Sequence, residues 1–176
     1  MSKERNKLII FLIKFCLLYL VWELVYSFYI QAQTDFDSIL TASIASISTR
    51  LLNFFELPIE HYSMNNGCQM ILFDAQKVVM IAHPCNGLIL HVLFAIFLIC
   101  FKGHWLVKIT TLILGMVAIY TINVLRVVAL IQIAHYHRDW LDFSHKWLFT
   151  AIVYSCVFGI WLLWVNKLSK INPFRS

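Results

Sequence analysis

Three residues, far apart in the chain, carry the chemistry of an acyl-transfer site. Cys85 stands in His83-Pro84-Cys85-Asn86-Gly87, immediately before an apolar run. Proline followed by an Asn-Gly pair suits a tight turn into a helix. A thiol at a helix N-terminus meets the positive end of the dipole and free N–H groups, which favour the thiolate. Arg126, in Asn123-Val124-Leu125-Arg126-Val127-Val128, is a permanent cation within an apolar run. An arginine there costs on the order of 3 kcal/mol at the centre of a bilayer and less near its edge, so it usually faces a partner or a wet cavity. Asn123, three residues earlier, shares its helical face and is a candidate orienting group. His145, in Asp142-Phe143-Ser144-His145-Lys146-Trp147, opens a further apolar run, with Ser144 or Asp142 available as a cap. A thiol, a fixed cation and an imidazole at one depth can form, break and transfer an acyl bond.

Each has a plainer reading. Cysteine is a common small filler, which suits Cys16, Cys100 and Cys156. An arginine near a span end can snorkel to headgroups, although that leaves the Asn123 pairing unexplained. His135 and His137 lie in a loop, and His91, inside an apolar run, is expected to make an internal hydrogen bond. No CxxC or HExxH spacing points to a metal, and no glycine-rich loop could cradle a phosphate, so neither metal nor cofactor is expected.

The elements that must hold these residues are membrane spans. Hydrophobic residues make up 61% of the 176-residue chain and charged residues 13%, with a mean hydropathy of +0.77. Ordinary globular chains are about half apolar and about a quarter charged. Apolar runs at 8–30, 86–101, 106–133 and 145–168 predict about four transmembrane helices. The first contains Lys14 and Glu23, follows Lys3, Arg5 and Lys7, and lacks the short core and small-residue site of a cleaved signal.

Between the first two runs lies an outer loop, 31–85. Within it, 38–55 has a helical stripe of Leu40, Ile44, Ile47, Leu51 and Phe54 opposite Ser43, Ser46, Ser48, Thr49 and Arg50. That pattern predicts an amphipathic helix lying on the membrane or packed against the bundle. The runs 69–74 and 77–82, with Asn65-Asn66-Gly67, predict a small β-hairpin or meander.

Four spans place eight basic residues on the cytoplasmic side (Lys3, Arg5, Lys7, Lys102, Lys108, Lys167, Lys170, Arg175) and four outside (Arg50, Lys77, Arg138, Lys146). This positive-inside bias accounts for the net charge of +5 without a nucleic-acid partner. Trp22, Tyr26, Tyr29, Trp105, Trp140, Trp147, Trp161 and Trp164 fall near span ends and are expected as interface anchors. The expected fold is an all-α integral membrane bundle, one domain over 1–176, with an outer amphipathic helix and a small β-hairpin.

The stretches Ala82-His83-Pro84-Cys85-Asn86-Gly87-Leu88 and Asn123-Val124-Leu125-Arg126-Val127, with His145 opening the last run, resemble the exosortase/archaeosortase family of membrane cysteine transpeptidases. The resemblance in order, spacing and helix-end position covers residues 70–165, and the arginine stretch is its most specific part. Many members carry a glycine shortly after the histidine, whereas 146–151 contains none. The chain is similar in length to compact members.

Four spans with this charge bias place both termini in the cytoplasm and the site on the outer face, and the expected location is the inner (cytoplasmic) membrane. The partners that the resemblance implies are membrane-anchored precursors bearing a C-terminal sorting signal, made of a short motif, a transmembrane helix and a basic tail. The enzyme would cleave near the motif and pass the new C-terminus to an acceptor: lipid, glycan or water. Cys85 would be the nucleophile, Arg126 the stabiliser of thiolate or oxyanion, and His145 the acid and then base. Two other classes remain open from the residues alone. One is a four-helix thiol–disulfide oxidoreductase pairing Cys68 with Cys85. The other is a non-enzymatic scaffold or small transporter with Arg126 paired to Glu23.

Overall fold

The computed structural model describes residues 2–31 and 34–167, with side chains from Arg5 onward. Residues 1, 32, 33 and 168–176, the basic Lys170 and Arg175 among them, lie outside the described residues, as does the side chain of Lys3. Helix α1 is Ser2–Val25 and runs on through a wider turn, Tyr26–Ile30. Helix α2 is Phe36–Phe54, and strands β1 Ile59–Ser63, β2 Gln69–Phe73 and β3 Gln76–Ile81 follow. Helices α3 Leu88–Cys100 and α4 Trp105–Tyr136 come next. The last helix, α5, is a continuous path over Arg138–Asn166. It winds through a tight turn Arg138–Trp140, a short turn Leu141–Phe143 and a wide π turn Ser144–Leu148 before the regular stretch Phe149–Asn166.

Among the described residues, three helices are long and apolar enough to cross a membrane: Arg5–Ile30, Trp105–Tyr136 and Arg138–Asn166. The run expected as a second span forms only the 13-residue α3. At 1.5 Å per residue it is about 20 Å long, short of the about 30 Å of a hydrocarbon core. By contrast α4, with 32 residues, reaches about 48 Å. Its surplus length carries the remaining elements.

Two apolar clusters divide the molecule along α4. At one end Ile44, Ala45 and Leu52 of α2, Ile59, Ile71, Phe73 and Ile81 of the sheet, and Val124, Val127 and Ile131 of α4 pack together. At the other, Leu90, Phe94, Phe97 and Leu98 of α3 pack with Ile119 of α4 and Val153, Val157 and Trp164 of α5. Phe11 and Phe15 of α1 rest on this second cluster, and Phe97 stacks on Trp161 at 4.6 Å between ring centroids. Gly115 sets how closely α3 approaches α4, because a Cβ there would lie 2.1 Å from the Phe94 ring.

Of the two expected forms the sheet is the meander, three antiparallel strands in the order β1-β2-β3, with Ile59 opposite Phe73 and Gln69 opposite Ile81. The expected runs form β2 and β3, while β1 has little alternation to announce it. Helix α2 packs on the bundle, but through Thr41, Ile44, Ala45, Ser48, Thr49 and Leu52, while Ile47 and Phe54 of the apolar stripe are exposed. Small side chains allow close approach: Ser43 hydrogen-bonds Tyr120, and Ser48 Oγ donates to the Val124 carbonyl at 3.4 Å. The packed face is therefore about a quarter turn from the apolar stripe. Finally, Trp164 is fully buried and Trp161 stacks in the core, so neither is an interface anchor. Trp105, Trp140 and Trp147 are exposed.

Candidate active site

The segment carrying Cys85 is built by its own sequence. Ala82 is extended, as a residue two before proline can be, and Pro84 then sets a tight 3-10 turn over His83–Cys85. The Cys85 N–H donates to the Ala82 carbonyl at 2.9 Å, and the Asn86 N–H to His83 at 3.1 Å. Gly87, with φ +76°, reverses the chain into α3 in a left-handed conformation that costs a side-chain-bearing residue about 1–2 kcal/mol. Asn86 Oδ1 accepts the Leu88 N–H at 2.9 Å and so satisfies one free donor of α3. Cys85 thus sits one turn ahead of the α-helix, not on its first residue. The Asn86 side chain meets the helix end instead.

Cys85 is half-buried, and its Sγ lies 3.4 Å from Nε2 of His145. His145 comes from the π turn of α5, whose wider winding sets it between Ser144 and Lys146 on a path that began at Arg138. It therefore lies about two turns inside the helix instead of opening it. Neither proposed cap acts as one: Ser144 is buried within the turn, and Asp142 pairs with Lys146 at 3.2 Å on the surface.

Helix α4 supplies the other two residues. Asn123 is 1% exposed, and its Nδ2 donates to the Cys85 carbonyl at 3.3 Å. Arg126, one turn further along, is half-buried. Its Nε and Asn123 Oδ1 are buried without a hydrogen-bond partner among the described residues. The structure brings Cys85, from the turn before α3, together with Asn123 of α4 and His145 of α5, and Arg126 follows Asn123 by one turn of α4.

The other histidines weighed from the sequence, His91, His135 and His137, lie away from the thiol. His91 Nδ1 lies 2.8 Å from the Gly87 carbonyl and Nε2 3.2 Å from that of Met116. His135 stacks on Phe73, and His137 is exposed at the end of α4. Cys68 and Cys85 are both free thiols, Cys68 being buried. Glu23 accepts from Tyr19 at 3.0 Å, and among the described residues it forms no ion pair with Arg126. No group of three or more His, Cys, Asp or Glu side chains is arranged to hold a metal among the described residues.

Sequence reasoning passed over a second polar cluster behind the cysteine turn. Asn86 Nδ2 donates to Asp37 Oδ1 at 2.7 Å, and Tyr26 donates its hydroxyl to the other carboxylate oxygen. His83 bridges Thr41 at 3.3 Å and the Asn66 carbonyl at 2.9 Å. Asn86 stood beside the cysteine but read only as a turn residue, and Asp37 carried no signal beyond an acid near a helix start. A polar cleft of about 720 Å³ opens here, lined by Glu23, Tyr26, Asp35 and Asn66 among others. On the opposite side of α3 an apolar groove of about 360 Å³, lined by Leu90, Leu93, Tyr154, Phe158 and Trp161, runs between α3 and α5.

Taken together, the three long apolar helices define a multi-pass membrane protein, and a thiol and an imidazole meet beside the arginine-bearing helix. The chain belongs to the transmembrane exosortase family, which it matches over residues 3–167. Membership points to a role in membrane protein sorting and to cysteine protease or transpeptidase chemistry. No curated protein and no solved structure matches the chain.

Proposed function

We propose that this protein cleaves a C-terminal sorting signal at the outer membrane face through a Cys85 thioester and transfers the new C-terminus to an acceptor. The observation that carries the reading is the 3.4 Å approach of Cys85 Sγ to His145 Nε2. His145 takes the thiol proton and leaves an imidazolium that supports the thiolate. The thiolate attacks the scissile carbonyl, and Arg126 stabilises the oxyanion, where a fixed cation gains from low dielectric. As the C–N bond breaks, His145 returns the proton to the leaving amine. An acceptor N–H or O–H then gives its proton to His145, attacks the thioester and releases the Cys85 thiol. Asn123 holds the nucleophile's peptide through its bond to the Cys85 carbonyl.

In this reading the chain is one membrane domain. Helix α3 and the cysteine turn together make the fourth crossing, and both termini are cytoplasmic in the inner membrane. Cys85 then sits just inside the outer boundary, at the level where a precursor's transmembrane helix meets its recognition motif. The groove between α3 and α5 lies below the Cys85–His145 pair and is open to lipid. A precursor helix seated there presents the preceding segment to the thiol.

The test compares C-terminal peptides of envelope and secreted proteins from cells with the native protein and with Cys85→Ala. A set of proteins should keep its C-terminal helix and basic tail only in the variant. The mass on the processed C-termini of native cells then identifies the acceptor. Identical C-termini in both strains, with the protein expressed, would overturn the reading.

A further inference from the structure

We propose that Asp37 is a positioning residue for Cys85, acting through Asn86; the inference rests on Cys85 being the nucleophile. Two donors converge on the Asp37 carboxylate: Asn86 Nδ2 at 2.7 Å on Oδ1, and the Tyr26 hydroxyl on Oδ2. Only a group that accepts at both ends serves both, and an ionised acceptor strengthens each bond. Asn86 itself is 1% exposed, and both ends of its carboxamide are engaged. Its Oδ1 takes the Leu88 N–H at 2.9 Å, while Nδ2 also lies 3.4 Å from Thr41 Oγ1.

Asn86 is bonded directly to Cys85, so fixing its side chain fixes the peptide that follows the nucleophile. Asn123 holds the carbonyl of that same peptide from α4 at 3.3 Å. Cys85 is thereby clamped between two helices, with α2 on one side and α4 on the other. The Sγ–Nε2 approach depends on this, because within the turn the Cys85 and Asn86 N–H groups make two short backbone bonds to Ala82 and His83, and the His83 side-chain bonds to Thr41 and Asn66 hold the far end of the turn instead of the cysteine. Through Tyr26, the same carboxylate ties the end of α1 to the nucleophile turn.

The test reads the iodoacetamide alkylation rate of Cys85 at neutral pH in the full-length protein, resolved by mass spectrometry of its peptide. Buried Cys68 serves as the folding control. Asn86→Asp sets two carboxylates against each other and should slow Cys85 about tenfold, the loss expected when a hydrogen bond to a charged group is removed. The swap Asp37→Asn with Asn86→Asp restores the contacts among residues 86, 37, Tyr26 and Leu88 with the roles reversed, and gives up only the 3.4 Å contact with Thr41, whose hydroxyl already donates to the residue 37 carbonyl. The carboxamide, now on α2, donates to the carboxylate in the cysteine turn and accepts from Tyr26. The swap should return the rate to within about threefold of native. Asp37→Ala should slow Cys85 alone, yet add nothing when combined with His145→Ala. A swap that fails to rescue, or an Asp37→Ala effect of full size without His145, would overturn the proposal. If Asn86→Asp also exposes Cys68, the swap must restore both protection and reactivity. Should His145→Ala itself leave the rate unchanged, the thiol–imidazole pairing on which the proposed function rests fails, and the proposal fails with it.

Discussion

Gly87→Ala tests how the cysteine turn and the arginine helix are joined. The residue has φ +76°, so any L side chain there costs about 1–2 kcal/mol. A Cβ would also lie 3.1 Å from Asn123 Nδ2 and 3.3 Å from its Cγ. Asn123 is 1% exposed and can retreat only slightly. Its bond to the Cys85 carbonyl is already 3.3 Å long, so a shift of a few tenths of an ångström breaks it. That adds about 1 kcal/mol, for a total of about 2–3 kcal/mol. The control is Gly159→Ala, whose Cβ meets nothing within 4 Å and which should be neutral or stabilising by up to about 1 kcal/mol. Reversible unfolding in detergent micelles measures both variants, and Cys85 alkylation reads the site. Adding Asn123→Ala should remove the contact part of the Gly87→Ala cost and leave the conformational part. If Gly87→Ala matched Gly159→Ala in stability and left the site intact, the reasoning would be refuted.

Arg126→Lys should not restore processing to the native level, since lysine keeps the charge but lacks the planar fork; full cleavage of precursors by this variant would remove Arg126 from the mechanism. Cys68→Ser should leave processing intact while lowering stability by about 1–2 kcal/mol, because a hydroxyl is placed at a buried thiol position. Loss of processing in a folded Cys68→Ser protein would instead favour a redox relay. Ala75→Gly should raise stability by about 1 kcal/mol without touching the site, because Asp74 and Ala75 form the two-residue β2–β3 turn with φ of 50° and 61°. Thermal unfolding checks it, and an unchanged midpoint would argue against left-handed strain there.

Residues whose cost is local were visible in the chain. Arg126 within an apolar run demands a partner wherever that run sits, and Asn123 on its face needs only helical periodicity. Cys85 stood out because Pro84 and Gly87 mark a turn without help from the rest of the fold. Strand β1 did not stand out, because only Ile59 among its five residues is buried and no alternation forms. The packed face of α2 was hidden for a different reason. In a membrane protein small polar residues face helices and large apolar ones face lipid, so the apolar stripe misdirects by about a quarter turn. Trp161 and Trp164 were misread alike: position along a span suggests an anchor, but facing α3 makes them core.

Composition and charge by themselves determined a membrane protein, since no water-soluble core can absorb 61% hydrophobic residues. Periodicity and turn chemistry determined the helices, two of the three strands, and which residues are chemically able. Only the tertiary structure decided that Cys85 faces His145 instead of Cys68, that Asn123 reaches the Cys85 carbonyl, and that Asp37 reaches Asn86 across 49 positions of chain. The expense of burying a group is written at its own position. Which partner relieves that expense depends on how α2, α3, α4 and α5 pack, and packing joins residues that no local pattern relates.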